Sequence, residues 1–107
     1  RPIRLVIPFG AGGTTDIIGR LMADEMSRFL GQPIVVENRG GAGATLGTGL
    51  VAAAPPDGYT LLLSTISGMA IGNTLYRERI QWDADRDFAH IAMLLGTPYL
   101  LVVNPRL

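Results

Sequence analysis

The chain has 107 residues, 48% of them hydrophobic and 17% charged, and its nine basic side chains balance nine acidic ones. That length fits one domain, which buries roughly two thirds of the surface its unfolded chain exposes, and the balanced charge offers no basic field for nucleic acid or an anionic membrane. Every basic residue is arginine and there is no cysteine, which excludes the phosphate-loop lysine, Schiff-base chemistry, thiol nucleophiles, disulfides and thiolate metal sites.

No apolar run reaches the roughly 18 to 20 residues that would span a bilayer. The chain opens on Arg1-Pro2 without a hydrophobic leader, so a signal peptide is expected to have been removed or never present. Residues 3–9, "IRLVIPF", form a short apolar run bounded by proline and glycine and read as a buried strand. Residues 15–30 then repeat at helical spacing. Ile18, Leu21, Met22, Met26 and Phe29 share one face, with Arg20, Asp24, Ser27 and Arg28 opposite and Glu25 breaking the stripe. Thr14, Thr15 or Asp16 caps the start, and Gly31 stands where a left-handed stop belongs.

A second strand is expected at 33–38, "PIVVEN", followed by the glycine-rich turn "RGGAG". Residues 44–54 read as a small-residue helix ended by Pro55-Pro56. Its Gly47 and Gly49 each cost about 1 kcal/mol against alanine, which points to close packing on a neighbour. After the Asp57-Gly58 turn, "YTLLLST" (59–65) reads as a third strand. A short helix is expected within 66–76. A polar, turn-like stretch follows, and two strands separated near Gly96-Thr97-Pro98 are expected within 90–105. The result is an α/β fold, a three-layer βαβαβ parallel sheet within a single domain spanning 1–107.

Open parallel sheets bind ligands where their strands turn into helices, at the carboxyl ends. Three loops fall there. The first is Phe9, Gly10, Ala11, Gly12, Gly13, Thr14, Thr15 and Asp16. The second supplies Asn38, Gly41, Ala42 and Gly43, and the third Ser64, Thr65 and Ser67. Each offers backbone amides or hydroxyls, and the first two precede helix N-termini, which favour negative charge. Neutral donors of this kind suit a small carboxylate; the plain alternative is that the glycines only let tight turns form.

Other chemistries fit less well. Gly10-x-Gly12 with Glu37 at the end of the second strand has the layout of a dinucleotide-binding enzyme domain, but Thr15 stands where the third glycine belongs. Asp83, Asp85 and Asp87 suggest a calcium loop, yet Phe88 and Leu94 occupy the positions that need glycine and glutamate, so a solvated turn is expected. His90 is the sole histidine and is read as structural. Ser64, Thr65 and Ser67 have no other base to form a triad. Trp82 and Tyr76 read as packing or rim residues. No metal, cofactor or catalytic residue is expected.

Four segments, "RPIRLVIPFGAGGTTD", "LGQPIVVENRGGAGATLG", "AAAPPDGYTLLL" and "LVVNPRL", occur in that order. Together they resemble the N-terminal lobe of Bug-type (TctC-like) periplasmic solute-binding proteins of tripartite tricarboxylate transporters. Nearly the whole chain takes part, and Gly40 departs from the proline common in the family. The resemblance implies one lobe of a Venus-flytrap fold and a non-enzymatic receptor in the periplasm. The ligand would be a small organic acid, a di- or tricarboxylate or similar, held largely by first-loop amides and water. The transport partners would be inner-membrane subunits. It also implies truncation near the crossover to a second lobe. The uncovered cleft face and sheet edge would then favour self-association, with exchange of the C-terminal strand as one route. A lobe that self-associates without binding ligand is the third reading, beside the receptor and the dinucleotide enzyme.

Overall fold

The computed structural model describes residues 1–75, 77–78, 80–96 and 98–106. Tyr76 and Thr97, both named above, lie outside them. Three parallel strands form the sheet, β1 (Ile3–Ile7), β2 (Ile34–Asn38) and β3 (Thr60–Leu62), in the order β2-β1-β3. Helix α1 (Thr14–Leu30) joins β1 to β2, and α2 (Thr45–Ala52) joins β2 to β3. The expected βαβαβ order is therefore present.

The central strand shows why this sequence settles this way. Leu5, Val6 and Ile7 are all buried, the continuous apolar run that a strand covered on both faces requires. Leu5 and Ile7 pack with Ala23 of α1, flanked by Phe9, Ile34, Val36, Leu61 and Leu63. Register pairs Leu5 with Val36 on one side and with Leu61 on the other. The ladder runs past the strands, with Arg39 N–H donating to the Ile7 carbonyl at 2.8 Å and Leu63 N–H to Val6 at 3.1 Å. These bonds hold the carboxyl ends of the strands level, which is where the candidate loops begin.

The helices approach the sheet through small residues, and this corrects the expected stripe on α1. Leu21 and Phe29 are 64% and 92% exposed, whereas Asp16, Gly19 and Ala23 are buried. A Cβ at Gly19 would stand 2.5 Å from Ile7 Cδ1 and 3.0 Å from Leu63 Cδ2. The helix therefore lies too low for a large side chain at its contact line. Ser27, expected on the outer face, is half-buried and donates to the Gln32 carbonyl at 2.8 Å. On the opposite face of the sheet α2 behaves alike. A Cβ at Gly47 would meet the Arg39 carbonyl at 2.7 Å and Pro8 Cβ at 2.8 Å, which accounts for a glycine inside that helix.

After β3 the chain makes one wide helical turn over Ser67–Ile71, which runs into the short α3 (Gly72–Leu75). Trp82 packs against Gly49 of α2 and lies edge-on to Phe88, centroids 5.8 Å apart. The aspartate run is a turn: Asp83 Oδ1 accepts from the amides of Asp85 and Arg86, and Asp87 Oδ2 from the amide of Asp83. His90 Nε2 bonds the Ala84 carbonyl at 2.9 Å.

Two strands expected within 90–105 are not formed among the described residues. Their side chains are in water, Leu101 being 97% exposed and Leu100 87%. A strand needs a neighbour for its backbone groups and a face to cover its side chains, and this segment has neither among the described residues. The radius of gyration, 15.3 Å, accordingly exceeds the roughly 13 Å of a compact domain of this length.

Candidate site at the carboxyl ends of the strands

The first loop turns from Pro8, fully buried against α2, into α1. Gly12 adopts φ +93, a backbone region that favours glycine, and Gly13 is the residue before the helix. No side chain caps α1. Instead, the first intrahelical bond runs from Ile17 N–H to the Gly13 carbonyl at 3.0 Å. The amides of Gly13, Thr14, Thr15 and Asp16 are thus left without intrahelical acceptors, at the positive end of a 17-residue helix.

Asp16 faces inward, only 4% exposed. Its Oδ2 accepts from Gly12 N–H at 2.9 Å, and its Oδ1 from Asn38 Nδ2 at 2.9 Å and Arg20 Nε at 3.1 Å. Asn38 Nδ2 also donates to the Phe9 carbonyl at 3.1 Å, while its Oδ1 accepts from Arg20 Nη2 at 3.0 Å. The Gly12 amide first, then Asn38 and Arg20, hold the Asp16 carboxyl below the ordinary aspartate range. Of the donors expected for an external anion, Gly12 N–H is therefore already spent on Asp16.

The second loop is built differently. Gly41, Ala42, Gly43 and Ala44 have φ of 131, 49, 61 and 74, a left-handed run that two alanines adopt against their preference. It is held by the Ala44 N–H to Gly41 carbonyl bond at 3.1 Å and by two hydroxyls. Thr45 Oγ1 donates to the Ala42 carbonyl at 2.6 Å, and Thr48 Oγ1 to that of Ala44 at 2.7 Å. Helix α2 also lacks a side-chain cap.

The three loops meet. A Cβ on Gly40 would stand 3.2 Å from the Gly10 nitrogen, so the first and second loops touch backbone to backbone. Gly68 brings in the third: a Cβ there would meet Thr48 Oγ1 at 2.9 Å, Ser64 Oγ at 3.2 Å and Ala44 Cβ at 3.3 Å. Ser64 Oγ donates to the Thr65 carbonyl at 3.3 Å, and Thr65 Oγ1 is buried with no hydrogen-bond partner among the described residues. Gly10, Ala11, Gly12, Gly13, Thr14, Gly41, Ala42 and Gly43 are exposed; Phe9, Thr15, Asn38, Ser64, Thr65 and Ser67 are partly covered.

Glu37 is engaged within the sheet. Both of its oxygens accept from Arg4, Nε and Nη2, each at 2.9 Å, and Arg39 approaches to 3.6 Å. Arg4 above all holds its carboxyl below the usual glutamate range. The layout that suggested a ribose-binding acid instead staples β1 to β2. Sequence reasoning also missed Arg20, which looked like a solvated residue opposite the apolar face. The i, i+4 spacing from Asp16 was the available signal.

Similarity to known proteins bears on this arrangement. The model of the tripartite tricarboxylate transporter family receptor (TctC) matches residues 18–107. Protein BugT of Bordetella pertussis is 43% identical over the full chain, which covers 33% of that protein. Among solved structures, MatC of Rhodopseudomonas palustris with bound malate is 41% identical with a TM-score of 0.76, covering 82% of this chain and 30% of that one. A second R. palustris protein, with adipate, is 42% identical with a TM-score of 0.60 over 62% of this chain and 22% of its own. The periplasmic binding protein BugD is 55% identical over 58% of this chain and 21% of its own, with a TM-score of 0.57. The chain thus spans about a third of the length of the curated relatives it matches, and its sheet and helices correspond to a single lobe of the periplasmic binding proteins.

Proposed function

The chain belongs to the tripartite tricarboxylate transporter receptor family, and from that premise we propose that it binds a small organic carboxylate as the receptor component of such a transporter, in the periplasm. The observation that carries this reading is the uncapped start of α1, where consecutive amides from Gly13 to Thr15 have no intrahelical acceptor. Malate and adipate, bound by two structural relatives, differ in length but share a terminal carboxylate. A loop that recognises that group through backbone amides serves both.

In this reading Gly10, Ala11, Gly13, Thr14 and Thr15 hold the carboxylate, and Gly41, Ala42 and Gly43 line its flank. Ser64, Thr65 and Ser67 supply hydroxyls from the third loop, among them Thr65 Oγ1, which has no partner among the described residues. Chemistry is not required of any of these residues: the protein captures and releases its ligand. A dinucleotide enzyme is disfavoured because Arg4 occupies the acid that would bind ribose.

Self-association is a second reading. It rests on the apolar segment Leu100–Val103, which lies in water, and on two sheet edges, β2 and β3, that end the strand order. Native mass spectrometry of the gently purified chain tests both. A small-acid mass on the protein supports the receptor, and a dinucleotide mass overturns it. A bare oligomer supports self-association alone.

A further inference from the structure

We infer that Asp16 and Asn38 are positioning residues that fix the first loop from behind, and that neither touches the ligand. The inference rests on the carboxylate-binding reading and deepens it. Both ends of the four-residue loop Phe9–Gly12 are tied to one closed network. Asn38 Nδ2 holds the Phe9 carbonyl at 3.1 Å, Asp16 Oδ2 holds the Gly12 amide at 2.9 Å, and Asn38 Nδ2 joins Asp16 Oδ1 at 2.9 Å. Asn38 ends β2, so the tie fastens the loop after β1 to the neighbouring strand. An Asp16 carboxylate aimed at the ligand would repel it. Here both oxygens point into the protein and are engaged by donors, and Arg20 offsets their charge.

The arrangement also divides the labour among the amides. Gly12 N–H is spent on the clamp, so the next three, Gly13 to Thr15, are the ones presented to an anion. Such preorganisation lowers the ordering that binding would otherwise demand. The same network explains why the Asp16 carboxylate is buried, with Asn38 partly covered beside it, at the edge of a site built from neutral donors.

The test uses the full chain, with malate and adipate as probes and amide hydrogen exchange at Gly12 as a second readout. In the unsubstituted chain Gly12 N–H is expected to be protected without ligand. Asp16→Ala should abolish that protection and weaken both acids by about tenfold or more, equally for the short and the long acid, since their shared carboxylate is affected. Unchanged or tighter binding by Asp16→Ala, or a Gly12 amide protected only after acid is added, would overturn the proposal. Should Asp16→Ala not fold, Asn38→Ala replaces it. That variant leaves the Asp16–Gly12 bond in place, so Gly12 should stay protected while both acids bind more weakly, and unweakened binding would overturn the clamp. Failure of the unsubstituted chain to bind either acid would sink the carboxylate reading instead, and Gly12 exchange would still decide whether the clamp exists.

Discussion

The first and second loops do the same job of starting a helix beside the other's backbone, and they reach their shapes by opposite means. The first puts glycine at its left-handed position, Gly12, and then secures it with side-chain bonds reaching 22 residues along the chain to Asn38. The second puts alanines at two left-handed positions and relies on local hydroxyls, those of Thr45 and Thr48, and on the fit of α2 against Pro8. One loop is held by a polar network; the other stores backbone strain that packing overrules. Positive-φ geometry alone therefore does not predict how a substitution acts.

The largest expected effect breaks the support of the second loop from below. Gly47→Val would drive a side chain into Pro8 and the Arg39 carbonyl. A loss of about 3 kcal/mol is expected, lowering the melting midpoint by about 10 °C or more in thermal denaturation. A change below about 1 kcal/mol would show that α2 can lift away freely.

The sharpest contrast comes from a pair of changes with opposite signs. Gly12→Ala places a Cβ at φ +93 and should destabilise by about 1–2 kcal/mol. Ala42→Gly, at φ 49 on an exposed residue, should instead stabilise by up to about 1 kcal/mol as strain is relieved. Denaturant midpoints measure both; opposite signs are expected because glycine is favoured at each left-handed position, and matching signs would show that local packing overrides that preference in one of the two loops. A comparable loss, about 1 kcal/mol, is expected for Thr48→Val, which removes a buried hydroxyl bonded to the Ala44 carbonyl.

Acid gives the subtlest separation. The Asp16 carboxyl lies below its ordinary value in the folded chain. Its contribution is therefore present above the unfolded value and lost as pH falls through the folded one. Residues 41–45 carry no titratable side chain. In an NMR pH titration the Gly12 amide shift should hold through the usual aspartate range and move only below it, while Gly43 stays still. A Gly12 midpoint at the ordinary aspartate value would argue against the clamp.

Much of this was legible in the sequence. Apolar runs bounded by proline and glycine located all three strands, and Gly31 ends α1 in left-handed backbone, φ 68, as its position suggested. The three loops do converge at one end of the sheet. Other features depend on relations that periodicity does not carry. The contact line of α1 runs through Gly19 and Ala23, because closeness to the sheet outweighs side-chain size. The Asp16–Asn38 bond joins residues whose proximity follows only from the parallel pairing of β1 and β2. The apolar segment within 90–105 has strand-like composition, but composition supplies no partner for a backbone. Its exposed side chains mark where intrinsic preference meets no neighbouring surface.

The account's central claim is that amides at the start of α1 receive a carboxylate. An amide-resolved NMR titration of the isotope-labelled chain with malate tests it most directly. Progressive, saturable shifts at Gly13, Thr14 and Thr15, with smaller ones in the two neighbouring loops, are predicted. Shifts absent from those three amides at saturating malate, or confined to the outer face of α1 around Leu21 and Phe29, would contradict it.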